Sequence, residues 1–151
     1  MASYNLVGDI GGTNARFAIV SQGSSELISI KTLQCEKFET IQQAIRFYLS
    51  SIEDIQISSA CIASAGTVRL DTFKPANNDW VINKSDVSSA LNNIQVSWIN
   101  DFNAQALATT LLSNNDVITI KAGIEQPDRL RLAIGPGTGL GVCGLIKLSS
   151  G

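Results

Sequence analysis

Short apolar runs separated by turn residues fill the first third of the chain, and their spacing predicts its elements. Residues 4–7 read as a strand, residues 8–14 as turn chemistry, and residues 15–20 as a second strand running back against the first. After another turn at residues 21–25, Leu27, Ile28 and Ile30 lead a third strand toward Leu33, so three consecutive antiparallel strands are expected. The period then lengthens. Phe38, Ile41, Ile45, Tyr48 and Ile52 share one core-facing stripe of a helix over about residues 40–51, with Thr40 placed to cap it. Residues 57–63 form a continuous apolar strand of the kind buried on both faces, broken by Ser64-Ala65-Gly66. A weaker extended piece at residues 68–73, a loop at 75–79 and a short helix at 85–91, opened by Ser or Asn, come next. Residues 94–99 read as another buried strand ending at Asn100-Asp101, and residues 103–112 as a helix with Ala104, Leu107, Ala108, Leu111 and Leu112 on its apolar face.

Three strands followed by alternating helices and strands predict an α/β fold with a mixed sheet. The polar run Ser113-Asn114-Asn115-Asp116 divides residues 1–113, a first domain, from residues 117–151, where a second domain begins and does not finish. Strands are expected there at residues 117–120, 130–134 and 142–148.

Composition narrows the chemistry. A chain of 151 residues, 44% hydrophobic and 16% charged, is long enough to bury a core. Its net charge of −2 and lack of any basic run give no pull toward nucleic acid or an anionic membrane. There is no histidine, so histidine metal ligands, a Ser-His-Asp arrangement and the commonest neutral-pH base are all excluded within these residues. Cys35, Cys61 and Cys143 are odd in number and widely spaced, which suits buried reduced thiols in a cytoplasmic protein. The first residues lack the basic region of a signal peptide, and no apolar run has the length of a membrane helix.

Two glycine-rich turns and one carboxylate stand out. Gly8-Asp9-Ile10-Gly11-Gly12-Thr13 joins two strands; its glycines let backbone N–H groups approach an anion, and Thr13 adds a hydroxyl donor. Asp9 repels a bare phosphate but suits one accompanied by a divalent cation. The same residues also suit an ordinary Gly-rich hairpin with an Asx turn. Gly135-Pro136-Gly137-Thr138-Gly139-Leu140-Gly141 repeats the pattern, so the pair reads as two hairpins gripping a polyphosphate. Neither turn carries the Walker A lysine, and Gly139, Gly141 and Gly144 lack the helix of a dinucleotide fingerprint. Asp101 ends a strand just before a helix, where open α/β sheets collect ligands, although capping that helix is equally open to it or to Asn103. Asn100, both donor and acceptor, suits a neutral polyol.

With these segments in view, the chain resembles the bacterial glucokinase family, within the sugar kinase, Hsp70 and actin superfamily of ATPase folds. Val7-Gly8-Asp9-Ile10-Gly11-Gly12-Thr13-Asn14-Ala15-Arg16 is similar to that family's first phosphate motif, Ile99-Asn100-Asp101-Phe102 to its catalytic segment, and Gly135 through Gly141 to its second phosphate motif. Asn77-Asn78-Asp79-Trp80 resembles its Asn-x-x-Trp stretch. The resemblance implies an actin-like ATPase domain and transfer of a phosphoryl group from ATP, with Mg²⁺, to the 6-hydroxyl of glucose. Asp101 is then the general base, and Asn100 and Asn78 join it as sugar contacts. Gly8, Asp9, Ile10, Gly11, Gly12, Thr13, Gly137, Thr138 and Gly139 hold the nucleotide, with Asp9 toward the metal through water. Arg16 receives packing or a surface ion pair. The resemblance further implies a cytoplasmic homodimer about twice this length, whose missing half completes the sugar and adenosine sites. This stretch by itself is therefore expected to be inactive; the alternative reading is a non-catalytic sugar- or nucleotide-binding or regulatory module of the same fold. Ser64-Ala65-Gly66 departs from the family, where a proline is frequent, which bears on loop shape.

Overall fold

In the computed structural model the described residues are 2–124, 126, 129–136 and 140–147. They belong to two compact units, Met1–Asp101 and Phe102–Gly151, each described by itself. The division falls at the start of a helix, ahead of the polar run at which the sequence reading places it.

The first unit is built on a five-stranded sheet. β1 (Ala2–Ile10), β2 (Asn14–Ser21) and β3 (Ile28–Gln34) form the expected antiparallel succession. α1 (Ile41–Ser50) then carries the chain across to β4 (Ile55–Ser64), which pairs parallel with β1. A two-stranded ribbon of β5 (Thr72–Phe73) and β6 (Ile82–Asn83) precedes α2 (Lys84–Ala90). Finally β7 (Gln95–Asn100) adds parallel to β4, giving the order β3-β2-β1-β4-β7. Both helix starts follow from local chemistry. Thr40 accepts the N–H of Gln43 at 3.3 Å, and the Asn83 side chain accepts those of Ser85 and Asp86. One face of the sheet is sealed by α1, whose Ile41, Ala44, Ile45 and Tyr48 are buried with Leu6, Ile10, Phe17 and Ile62.

Three differences from the sequence pattern have physical causes. β1 runs on through Gly8, Asp9 and Ile10, because β2 and β4 pair with these residues from both sides and leave only residues 11–13 as turn. β7, expected as a buried strand, has an alternating, half-exposed pattern because it is an edge of this sheet. β4 is buried only toward its C-terminal end.

The second unit contains α3 (Asp101–Ala108), which begins at the last residue of the first unit, and the antiparallel pair β8 (Arg131–Pro136) and β9 (Leu140–Leu145). The expected helix over 103–112 starts earlier and stops at Ala108, and of its residues only Ala106 is buried, while Leu107, Leu111 and Leu112 are exposed. The expected strand at residues 117–120 does not form: Ile118 and Ile120 are 91% and 98% exposed. β-propensity expresses itself only against a neighbouring strand or a packed face. Instead Ser113 and Asp116 cap each other across a turn of 3₁₀ helix at Asn114–Asp116.

The core carries a pH signature. Tyr48 lies fully buried against Phe17 and donates its hydroxyl to the Ser29 carbonyl at 3.0 Å. Burial pushes its phenol from the ordinary 10.0 up to about 12. The native state thus keeps a proton that the unfolded chain releases, so this contribution is complete below pH 10 and is lost as pH rises from about 10 through 12. The loss approaches about 1.4 kcal/mol per pH unit. Urea midpoints measured from pH 9 to 11.5 should fall more steeply for the native sequence than for Tyr48→Phe; parallel curves would contradict this.

Candidate active site

The first hairpin holds a turn whose backbone is anchored on one side. Register pairs Asp9 with Arg16 and Ile10 with Ala15, and the Gly11 N–H closes the turn on the Asn14 carbonyl at 2.9 Å. The carbonyls on either side of Gly12 are then taken. Gly11 O accepts from Asn78 Nδ2 at 2.9 Å, and Thr13 O accepts from the Cys35 N–H at 2.8 Å. Among the described residues the N–H groups of Gly12 and Thr13 have no protein acceptor, which leaves them for an anion. Gly12 is required by space: a Cβ there would stand 2.7 Å from the Asn77 carbonyl oxygen.

Behind this turn, Asn78 is 5% exposed, and its Oδ1 accepts the Trp80 N–H at 2.9 Å, an Asx turn. Trp80 in turn donates Nε1–H to the Phe38 carbonyl at 2.9 Å. Burial pushes the Cys35 thiol up, opposed by a hydrogen bond from Asn78. A cavity of about 440 Å³ opens beside the turn, lined among others by Thr13, Cys35, Phe38, Asn77 and Trp80.

Asp9 and Arg16 form the surface ion pair expected of Arg16, Oδ2 to Nη1 at 3.0 Å with both side chains about half exposed. Such a pair contributes at most about 1 kcal/mol. The second Asp9 oxygen has no protein partner among the described residues. No cluster of three metal-ligating side chains occurs among those residues. One available carboxylate oxygen next to a phosphate-type turn fits Mg²⁺, which keeps most of its waters and takes its other ligands from phosphate.

Asp101 and Asn100 reach the same sheet edge by register. Ile10 pairs with Ser64, and Ser64 with Asn100, so these three residues form a row across the C-terminal ends of β1, β4 and β7. Two strand spacings, roughly 10 Å, separate Ile10 from Asn100, and Gly11 and Asp101 follow them directly in the chain. Asn100 donates Nδ2–H to the Gly66 carbonyl at 3.2 Å, holding a turn in which Gly66 has φ +99°. In the second unit, β8 and β9 close with Pro136 opposite Leu140, while Gly137, Thr138 and Gly139 lie outside the described residues. Gly135 and Gly141 face each other in this pair, and the Phe102 ring occupies the space that a Cβ on either would need. This contact, like the one between Asn78 and Gly11, joins residues far apart in the chain and has no sequence signal. The Asx turn of Asn78 and Trp80 spans two residues and could have been read from the Asn-x-Trp spacing.

A family model described as glucokinase matches residues 6–151. The chain belongs to the glucokinase family. Glucokinase from Hahella chejuensis is 42% identical over 146 residues, which cover 97% of this chain and 45% of that protein. The crystal structure of glucokinase from an Antarctic psychrotroph superposes with a TM-score of 0.88 at 34% identity, over 97% of this chain and 47% of that one. A ROK-family glucokinase from Streptomyces griseus, solved with glucose and AMPPNP, shares the fold at a TM-score of 0.68 and 24% identity, over 95% and 44%. The mixed sheet is thus that of the actin-like ATPase fold, as the glucokinase motifs imply. The chain spans less than half the length of these glucokinases. No helix among its described residues is long and apolar enough to cross a membrane.

Proposed function

We propose that the protein carrying this chain transfers the γ-phosphoryl group of ATP to the 6-hydroxyl of glucose. The observation that carries the reading is the sheet edge itself, where Asp101 directly follows a strand end that lies roughly two strand spacings from the one leading into the anchored turn of the first hairpin. Family membership and the glucose and AMPPNP complex of the Streptomyces griseus relative support the choice of substrates. The N–H groups of Gly12 and Thr13 bind phosphate oxygens, and the sequence motif at Gly137, Thr138 and Gly139 is assigned to the same nucleotide. Asn100 orients the sugar, and Asp101 takes the proton from its 6-hydroxyl. The sugar oxygen then forms a bond to the γ-phosphorus as the bond from that phosphorus to the β-phosphate oxygen breaks, releasing ADP. Mg²⁺, held through water by Asp9, supplies neutralisation of phosphate charge when bound. Positioning and charge stabilisation carry most of the acceleration in such transfers.

The test is ADP release by the complete protein with ATP, Mg²⁺ and single sugars. ADP formed in equal amount with glucose 6-phosphate, and only when glucose is present, is the expected result. ATP turnover indifferent to glucose would overturn the proposal.

A further inference from the structure

We propose that Asn78 is a positioning residue that fixes the phosphate-binding turn of the first hairpin, rather than a contact of the sugar; this rests on the kinase reading above. Asn78 lies 67 residues from Gly11 in sequence, yet its amide meets the Gly11 carbonyl at 2.9 Å. Its other end accepts the Trp80 N–H at 2.9 Å, so each polar atom of this buried side chain bonds backbone, with the Cys35 thiol as a further partner. Trp80 is anchored in turn by its indole N–H on the Phe38 carbonyl. Cys35, the residue directly after the end of β3, secures the far side of the turn by donating its backbone N–H to the Thr13 carbonyl.

The consequence is directional. In a trans peptide a carbonyl points opposite to the next N–H, so drawing the Gly11 carbonyl toward Asn78 turns the Gly12 N–H the other way, while the Thr13 carbonyl, held by the Cys35 N–H, fixes the peptide that follows it. An anion-binding turn works only when those N–H groups already converge, since reorienting them on binding costs affinity and rate. Asn78 makes that orientation permanent without touching ligand. The adjoining Asn77, at φ +56°, puts its carbonyl oxygen where any Cβ on Gly12 would go. The loop that carries Asn78 therefore also sets how closely it can approach the turn.

Asn78→Asp separates this role from a general structural one. An aspartate keeps the acceptor for Trp80 N–H, and hence the Asx turn, but presents an acceptor to the Gly11 carbonyl. Initial rates of the complete protein, with ATP and glucose varied independently, should show kcat/KM for ATP lowered about 10- to 100-fold and KM for glucose within about twofold of the parent. Asn78→Ser, neutral and too short to reach Gly11, should show the same split. It controls for the new charge, and it is the variant read if the aspartate protein does not fold. A raised KM for glucose with unchanged ATP kinetics in either variant would overturn the inference in favour of a sugar contact. Loss of glucose-dependent turnover in the parent protein would instead overturn the kinase reading, so the two failures are distinguishable.

Discussion

Asp101→Asn in the complete protein is expected to lower kcat for glucose phosphorylation by about 10²–10⁴-fold, the usual worth of a positioned general base. KM for both substrates should stay within a few-fold, because the substitution keeps size and shape and one acceptor oxygen, exchanges the other for an amide donor, and removes the capacity to accept the hydroxyl proton. The choice of asparagine is deliberate. Asp101 opens α3, and a carboxylate in the first turn of a helix is favoured by the helix dipole. Asparagine and aspartate have similar helix propensity, and the lost dipole interaction is worth about 0.3–2 kcal/mol at a partly buried residue. A purely structural Asp101 would thus leave kcat almost unchanged and shift only the melting temperature. Steady-state kinetics beside thermal unfolding of the same preparation decide the matter: full turnover by Asp101→Asn would sink the assignment of the base.

Much of the first unit was legible in the sequence because its signals are local. The 3.6 period of Ile41, Ile45 and Tyr48 and the capping hydroxyl of Thr40 act within a few residues and appear where the pattern places them, and α2 starts one residue ahead of its expected position with Asn83 as its cap. The three antiparallel strands follow for the same reason, since two short turns join them. What was not legible depends on partners. Gly8, Asp9 and Ile10 carry turn chemistry in isolation, yet two flanking strands hold them extended. Residues 117–120 have strand composition, yet no ladder receives them.

The candidate site divides along the same line. Its residue types could be named from spacing, because Gly11, Gly12 and Thr13 sit together, as do Asn100 and Asp101. Their placement along one sheet edge needed the β1–β4–β7 register, which brings together residues ninety apart. The role proposed for Asn78 belongs wholly to this second class: the family resemblance implies a sugar contact, and only the hydrogen bond to Gly11 points elsewhere.

Gly12→Ala is the second substitution of large expected effect, and it works through space. The added methyl would stand 2.7 Å from the Asn77 carbonyl oxygen and 3.0 Å from its Cβ. Neither neighbour is the end of a flexible side chain, and the segment behind them is tied down through Asn78 and Trp80. The turn itself must therefore give way, carrying the N–H groups of Gly12 and Thr13 out of convergence. Displacements approaching 1 Å in a positioning element cost about 10²-fold in rate, which is the expected loss in kcat/KM for ATP. The overpacking itself should destabilise by only about 1–3 kcal/mol, leaving a folded protein to assay. Gly11→Ala is the matched control, since its methyl would meet only the Asn14 carbonyl oxygen, at 3.3 Å, and a few tenths of an ångström of adjustment accommodate it. Its loss should be far smaller. Equal kinetics for the two alanine variants would show that close approach at Gly12 does not govern the turn.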